Sequence, residues 1–386
     1  MQLTILQVAY PLAPVGIDAT GGAEQILTSL DLFLTAVGHR SIVIACAGSQ
    51  SAGTLWPIPA LGDEKLTDDG RRQIYAAQQQ AIEQVIRNYR VDVIHLHGVD
   101  FAAYLPPDGP PALITLHLPL SWYEPTTLFP ARARTFFNCV SAHQERDCPP
   151  GMARLPSVEN GVATELFTAH QAKRNFVLAL GRICPEKGFH LALDAATQAN
   201  IDLILGGALF PYPEHERYFA DEIAPRLDRH RRYVGACDFA RKRRLLSSAR
   251  CLVMPSMVAE PSSLVAMEAL ACGTPVIAFD RGALGEIIEH GKSGFLVRDV
   301  QEMADAIASA NEIDPAFCRH TARTRFSRSR MAGDYFHLYE RLAAMDKQPA
   351  NTLAETIRMD EQETVSAPQQ AHQQIEMSNA APAERQ

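Results

Sequence analysis

At 386 residues, 47% apolar and 21% charged, the chain is long enough for two domains with separate cores and has the composition of a globular enzyme, not of a disordered or fibrous protein. A net charge of −8, from 36 basic and 44 acidic side chains, argues against nucleic acid as the main partner, because affinity for a phosphate backbone depends on clustered lysine and arginine. The eight cysteines include no C-x-x-C pair and fit reduced, buried thiols in a cytosolic protein better than disulfides or a zinc site; no stretch reaches membrane-spanning length, which leaves peripheral membrane contact open.

The first ten residues lack a basic leader and read as a buried strand over 3–9. A loop through Pro11, Pro14 and Gly16 then reaches T-G-G-A-E at 20–24. The following helix carries Ile26, Leu27, Leu30, Phe33, Leu34 and Val37 at helical spacing and stops at Gly38. Gly21 and Gly22, opening that helix above a strand, let backbone approach a ligand closely. They do not form G-x-G-x-x-G, so a dinucleotide dehydrogenase is not indicated.

A strand over 41–45 and a helix over 72–89 come next, then V-D-V-I-H-L-H-G at 91–98. His95 and His97 share one strand face, yet a pair without a third ligand reads as structural and not as a metal site. The strand over 112–116 ends at His117, and open α/β sheets place ligands at such strand ends. From position alone, a ligand contact and a satisfied polar residue at the sheet edge are equally open. A strand over 136–140 leads to Ser141 as an N-cap, and Asn160-Gly161 signals a turn.

From about residue 170 the strand-helix rhythm restarts with a strand over 176–180, a turn at Gly181, and Pro185 suited to the first position of the next helix. Arg182 and Lys187 flank that turn with no obvious acidic partner except Glu186, which points to an anionic ligand. Later strands fall at 203–205, 233–235, 251–254, 276–279 and 294–297. They are short apolar runs without alternation, as parallel strands covered on both faces should be. The basic run Arg241-Lys242-Arg243-Arg244 reads as a solvated helix face.

After the strand ending at Met254, Ser262 or Ser263 offers an N-cap hydroxyl, and Gly273 with Pro275 closes the helix. The free backbone N–H groups near Ser263 and Leu264 would bind phosphate. Glu260 lies just before this helix and Glu268 inside it. Both would repel phosphate, so each is better suited to accepting hydrogen bonds from sugar hydroxyls on either side of it. A sugar, a diphosphate and a ribose fit that order. Residues 313–343 read as helical, with Met331, Tyr335, Leu338, Tyr339 and Leu342 on one face. The stretch 346–386 is rich in Gln, Ala, Glu and Pro and is expected not to fold alone.

The spacing Glu260 to Glu268 (E-x7-E) followed by A-L-A-C-G-T-P-V, together with G-R-I-C-P-E-K-G at 181–188, resembles the nucleotide-sugar half of the retaining GT-B glycosyltransferases of the family 4 type. The similarity runs from the first strand to about residue 343. Where that family usually has E-x-F-G, this chain has Pro261, Ser262 and Ser263, which reduces the bulk near the donor sugar. The resemblance implies an α/β protein of two Rossmann-like domains with parallel sheets facing a central cleft: an acceptor-side domain over 1–165 and a nucleotide-sugar domain over 170–325. A helix over 326–345 would return to the first domain, and a tail over 346–386 would lie outside the fold.

It further implies transfer of a sugar from a nucleoside-diphosphate sugar, UDP first among them, to a carbohydrate, lipid or small-molecule acceptor with retention and without metal or other cofactor. His117 and Glu260 would hold the transferred sugar, and Arg182 and Lys187 would meet the leaving diphosphate. Gly21, Gly22, Ser262, Ser263, Leu264 and Glu268 would complete the donor site, the glycines reaching across the cleft. The expected setting is cytoplasmic, with peripheral contact at the inner membrane face allowed. An epimerase or hydrolase of sugar nucleotides, or an inactive sugar-nucleotide sensor, remains the alternative reading.

Overall fold

The computed structural model describes residues 2–60, 67–168 and 171–345 and organises them around two six-stranded sheets in which all neighbouring strands run parallel. The first half contains β1 (Thr4–Val8), α1 (Gly22–Ala36), β2 (Arg40–Cys46), β3 (Thr54–Ile58), α2 (Asp68–Asn88), β4 (Val93–Leu96), β5 (Ala112–Leu116), β6 (Thr135–Cys139) and α3 (Ala142–Arg146). The second begins with β7 (Phe176–Leu180), α4 (Phe189–Gln198), β8 (Asp202–Gly206), α5 (Pro213–Tyr218), β9 (Arg231–Tyr233) and α6 (Phe239–Ser248). It continues with β10 (Cys251–Met254), α7 (Leu264–Ala271), β11 (Val276–Phe279), α8 (Leu284–Ile287), β12 (Gly294–Val297), α9 (Val300–Ser309), α10 (Pro315–Arg325) and α11 (Arg328–Met345).

Every residue of β5, β6, β7, β10 and β11 is buried, which is why those strands read as mostly apolar runs without alternation, Thr115, Thr135 and Asn138 being the polar exceptions. β3 escaped the sequence reading because it is an edge strand carrying Pro57, with Thr54 and Pro57 exposed. The strand orders are β3-β2-β1-β4-β5-β6 and β12-β11-β10-β7-β8-β9. Each order reverses direction once, between β1 and β4 and between β7 and β10, and open sheets of this kind bind ligands outside the strand ends at that point. The chain there emerges at Ala9, His97 and His117 on one side and at Gly181, Gly207 and Pro255 on the other.

Two expectations need correction. Pro185 opens a one-turn 3-10 helix over Pro185–Lys187, not α4 itself, and Gly188 (φ +62°) then caps α4. A Cβ on Gly188 would come within 2.2 Å of the Pro255 carbonyl, so the turn lies against the end of β10 only because the residue is glycine. The strand expected at 233–235 lies at Arg231–Tyr233, since Gly235 turns away with φ +73° and accepts from the Gly207 N–H. The helical stretch read over 313–343 consists of α10 and α11, so the helix expected over 326–345 is α11, and the two part at Phe326 and Ser327. There the Val162 N–H donates to Phe326 and the Arg328 N–H donates to Val162, both at 2.8 Å, so the two chain crossings between the halves lie side by side.

α11 then packs on the first sheet, burying Met331, Ala332, Tyr335, Leu338, Tyr339 and Leu342 against Leu3, Ile5, Val93, Leu113 and Phe136. Arg330 clamps the first crossing by donating to the carbonyls of Glu159 (2.8 Å) and Asn160 (2.9 Å). All eight cysteines are free. Among the described residues no helix is long and apolar enough to cross a membrane. The stretch 346–386 lies outside the described residues.

Candidate active site

The turn after β7 presents Arg182, and its 3-10 helix presents Lys187. Gly181 (φ +155°) and Gly207 (φ +153°) let this turn and the one after β8 touch backbone to backbone: a Cβ on Gly207 would stand 1.7 Å from the Gly181 carbonyl oxygen. Lys187 is not without an acidic partner, contrary to the sequence reading. Its Nζ lies 2.5 Å from Glu260 Oε1, and Ser256 Oγ donates to the same oxygen at 2.6 Å. Both bonds fall on Oε1, which leaves Oε2 of Glu260 to accept from a ligand. The Glu260 backbone is fixed in turn, its carbonyl accepting from the Ala283 N–H at 2.7 Å.

Ser263 is the N-cap of α7, its hydroxyl accepting from the Ala266 N–H at 3.3 Å. Ser262 Oγ beside it is buried without a hydrogen-bond partner. Gly273 (φ +68°) ends the helix as expected. Within α7, Glu268 is 4% exposed; Lys242 donates to its Oε1 at 2.5 Å, while Oε2 is buried with no partner. Burial raises the Glu268 pKa above the ordinary carboxylate value, and the Lys242 charge offsets part of that rise. Of the run 241–244, only Arg244 is exposed, so most of it is not a solvated face. Asp238 caps α6, Lys242 turns inward, and Arg241 and Arg243 donate to the carbonyls of Val234 and Leu166.

A cavity of about 240 Å³ lies between the two halves. Arg182, Lys242, Leu264 and Glu268 line it from the second half, and residues 16–20 with Gln25, Thr28 and Ser29 line it from the first. Gly21 caps α1 and Gly22 begins it. A Cβ on Gly22 would be in ordinary contact with Leu264, 3.7 Å away, so the N-termini of α1 and α7 meet across the cleft. Gly21, Gly22, Lys187, Glu260, Ser262, Ser263 and His117 do not line this cavity.

His117 follows β5 on the first-half side. Its Nε2 shares a 3.0 Å hydrogen bond with His97 Nδ1, and the two rings stack. His95 instead bonds Tyr339 of α11 and Thr115, each at 2.7 Å, and so is tied into protein hydrogen bonds, whereas His97, just after β4, bonds His117 through Nδ1 and keeps a buried Nε2 without a partner. Burial lowers all three histidines, His117 to about 3, and neighbouring imidazoles lower His95 and His97 further. All three are neutral at physiological pH.

Two site residues were not singled out from sequence. Lys242 could have been found from its phase, because it lies three residues after Phe239 and four before the buried Leu246, on the inward stripe of α6. Ser256 carries no signal beyond standing four residues before Glu260.

This opening between two Rossmann-like halves, with two carboxylates and three cations near the start of α7, coincides with two family profiles. Residues 20–146 match Glycosyltransferase Family 4, and residues 165–325 match Glycosyl transferases group 1. The chain belongs to the GT-B glycosyltransferases.

Among relatives of this chain, glycogen synthase from Mycobacterium tuberculosis is 32% identical over 198 residues, which cover 48% of this chain and 46% of the relative. The chain thus spans about half the length of that protein. Phosphatidyl-myo-inositol mannosyltransferase from the same organism is 25% identical over 381 residues, covering 86% of this chain and 96% of the relative. Among solved structures, Anabaena HepE in complex with UDP-glucose superposes with a TM-score of 0.69 at 20% identity, over 88% of this chain and 100% of that one, a likeness of fold.

Proposed function

We propose that this glycosyltransferase moves a sugar from a nucleoside-diphosphate sugar, UDP being the expected nucleotide, to a carbohydrate, lipid or small-molecule acceptor, with retention and with no divalent ion at the diphosphate. The observation that carries the proposal is Glu268: a carboxylate in the wall of the cavity, with one oxygen held by Lys242 and the other buried without a protein partner, beside Arg182 and the first turn of α7. A ribose hydroxyl satisfies that oxygen. The diphosphate then reaches Arg182, Lys187 and the N–H groups of Ser263 and Leu264, and the sugar reaches Oε2 of Glu260.

In the reaction the bond from the anomeric carbon to the diphosphate breaks, a bond to the acceptor oxygen forms, negative charge grows on the leaving diphosphate, and the acceptor hydroxyl's proton passes to that departing phosphate oxygen. Lys187 has three N–H donors and spends one on Glu260, so it can hold that carboxylate and still meet the growing charge. The helix N-terminus adds positive potential at the same place, which makes a bridging magnesium ion redundant. His117, neutral through burial, offers a hydrogen bond to the sugar from the opposite half and no charge. Names of relatives support the class: one makes glycogen, one transfers mannose to phosphatidyl-myo-inositol, and a structural neighbour holds UDP-glucose.

Melting shifts with UDP, GDP and ADP, then with their sugars, test the donor, because a ligand of the native state stabilises it by mass action. NMR of the product reads the anomeric outcome. An inverted product, or activity abolished by EDTA and restored by magnesium, overturns the mechanism.

A further inference from the structure

We propose that Cys184, Glu186 and His215 form a zinc site that fastens α5 to the phosphate-binding turn, separate from the transfer chemistry. One donor atom from each, the thiol sulfur, a carboxylate oxygen and a ring nitrogen, lies within 4.8 Å of the other two. Cys184 and Glu186 come from the turn that carries Arg182 and Lys187, whereas His215 comes from the first turns of α5. The third ligand is therefore 29 residues from the nearer of the other two, which is why no metal-binding spacing appears in the sequence and no metal was expected.

The polar atoms at this place are unspent. His215 is 8% exposed and its Nδ1 has no hydrogen-bond partner; Oε2 of Glu186 is likewise buried and unpartnered. Leaving both bare costs free energy that a shared ligand would recover. Cys184 is fully buried; its sulfur lies 3.5 Å from the Arg182 carbonyl and also interacts with the Glu186 side chain, so two of the three ligands already touch.

The donor set selects the ion. Sulfur and imidazole with one carboxylate suit zinc, whereas calcium and magnesium require oxygen ligands. Zinc bonds of ordinary length place tetrahedral donors roughly 3.5 Å apart, so donors now within 4.8 Å of one another need close by about 1.3 Å at most. A thiolate and a carboxylate balance the ion's two positive charges. Arg182 is the opposing cation, acting on all three ligands, and Glu214 is a nearby acid that counters it. Water takes the fourth position. Bound zinc would hold α5 against the turn and fix the angle at which Arg182 meets the diphosphate; none of the three ligands is among the residues assigned to the transferred sugar.

The full chain, stripped with chelator and dialysed against zinc, should take up one ion per chain by mass spectrometry of metals. Cobalt in its place should give a thiolate charge-transfer band. Cys184→Ser should abolish the band, and His215→Ala and Glu186→Gln should each lower zinc affinity at least tenfold, in variants whose circular dichroism matches the parent. Uptake below one ion per chain, uptake unchanged in all three variants, or uptake lost instead with Cys139→Ser overturns the proposal, and a water bridging Glu186 and His215 then accounts for the cluster. Metal content is read without donor or acceptor, so this result and the test of sugar transfer fail separately.

Discussion

Glu268→Ala should weaken UDP binding by about 10- to 150-fold. Glu268 is 4% exposed, and of its two oxygens only Oε1 has a protein partner, Lys242 at 2.5 Å. The bare Oε2 is the acceptor assigned to the ribose, and a hydrogen bond to a charged group contributes about 1.5–3 kcal/mol, which converts to that range of affinity. Two effects oppose the loss. Alanine removes a carboxylate whose burial is itself costly, and it frees Lys242 to approach the diphosphate. Neither replaces an acceptor for the ribose, so the net sign stays a loss.

The carboxylate must also be ionised. Because burial raises its pKa, UDP affinity of the parent should fall as pH is lowered through a range above the usual glutamate value, while the alanine variant shows no such fall. For folding the sign is reversed: a raised folded-state pKa means the unfolded chain releases this proton first, so the group costs stability as pH rises through the same range. Calorimetric titration of UDP into parent, Glu268→Ala and Glu268→Gln at several pH values measures both effects. Equal affinity in a folded alanine variant would refute the ribose assignment.

Lys187→Ala should lower kcat more than it raises KM, since the charge it meets grows toward the transition state; steady-state kinetics with unaltered kcat would sink the role. Gly207→Ala should weaken donor binding and lower the melting temperature, because its Cβ would stand 1.7 Å from the Gly181 carbonyl and must push away the turn carrying Arg182; a variant with parental melting and affinity would count against that contact. His95, His97 and His117 are held neutral by burial, so an unfolded chain binds more protons below its histidine pKa of about 6.5. Stability should therefore be insensitive to these groups above that pH and fall below it, by about 1.4 kcal/mol per pH unit for each histidine. Urea unfolding at stepped pH checks this, and constant stability between about pH 6.5 and about pH 5 would contradict it.

The sequence alone determined the strands at 112–116, 176–180, 251–254, 276–279 and 294–297, which match residue for residue. Parallel strands buried on both faces must be short apolar runs, and that property is local. The cap at Ser263 and the stop at Gly273 were legible for the same reason, since a hydroxyl before a helix and a left-handed glycine after it act within a few residues. So were the four charged residues Arg182, Lys187, Glu260 and Glu268, but as kinds of chemistry and not as partners. Only the tertiary structure decided that Lys187 pairs with Glu260, 73 residues away, that Lys242 leaves its basic run to hold Glu268, and that His117 leans on His97. It also decided that Cys184, Glu186 and His215 converge. Those pairings depend on which strand ends the two sheets bring together, and residue spacing along the chain carries almost no information about that, because sheet order is set by long-range packing of buried faces.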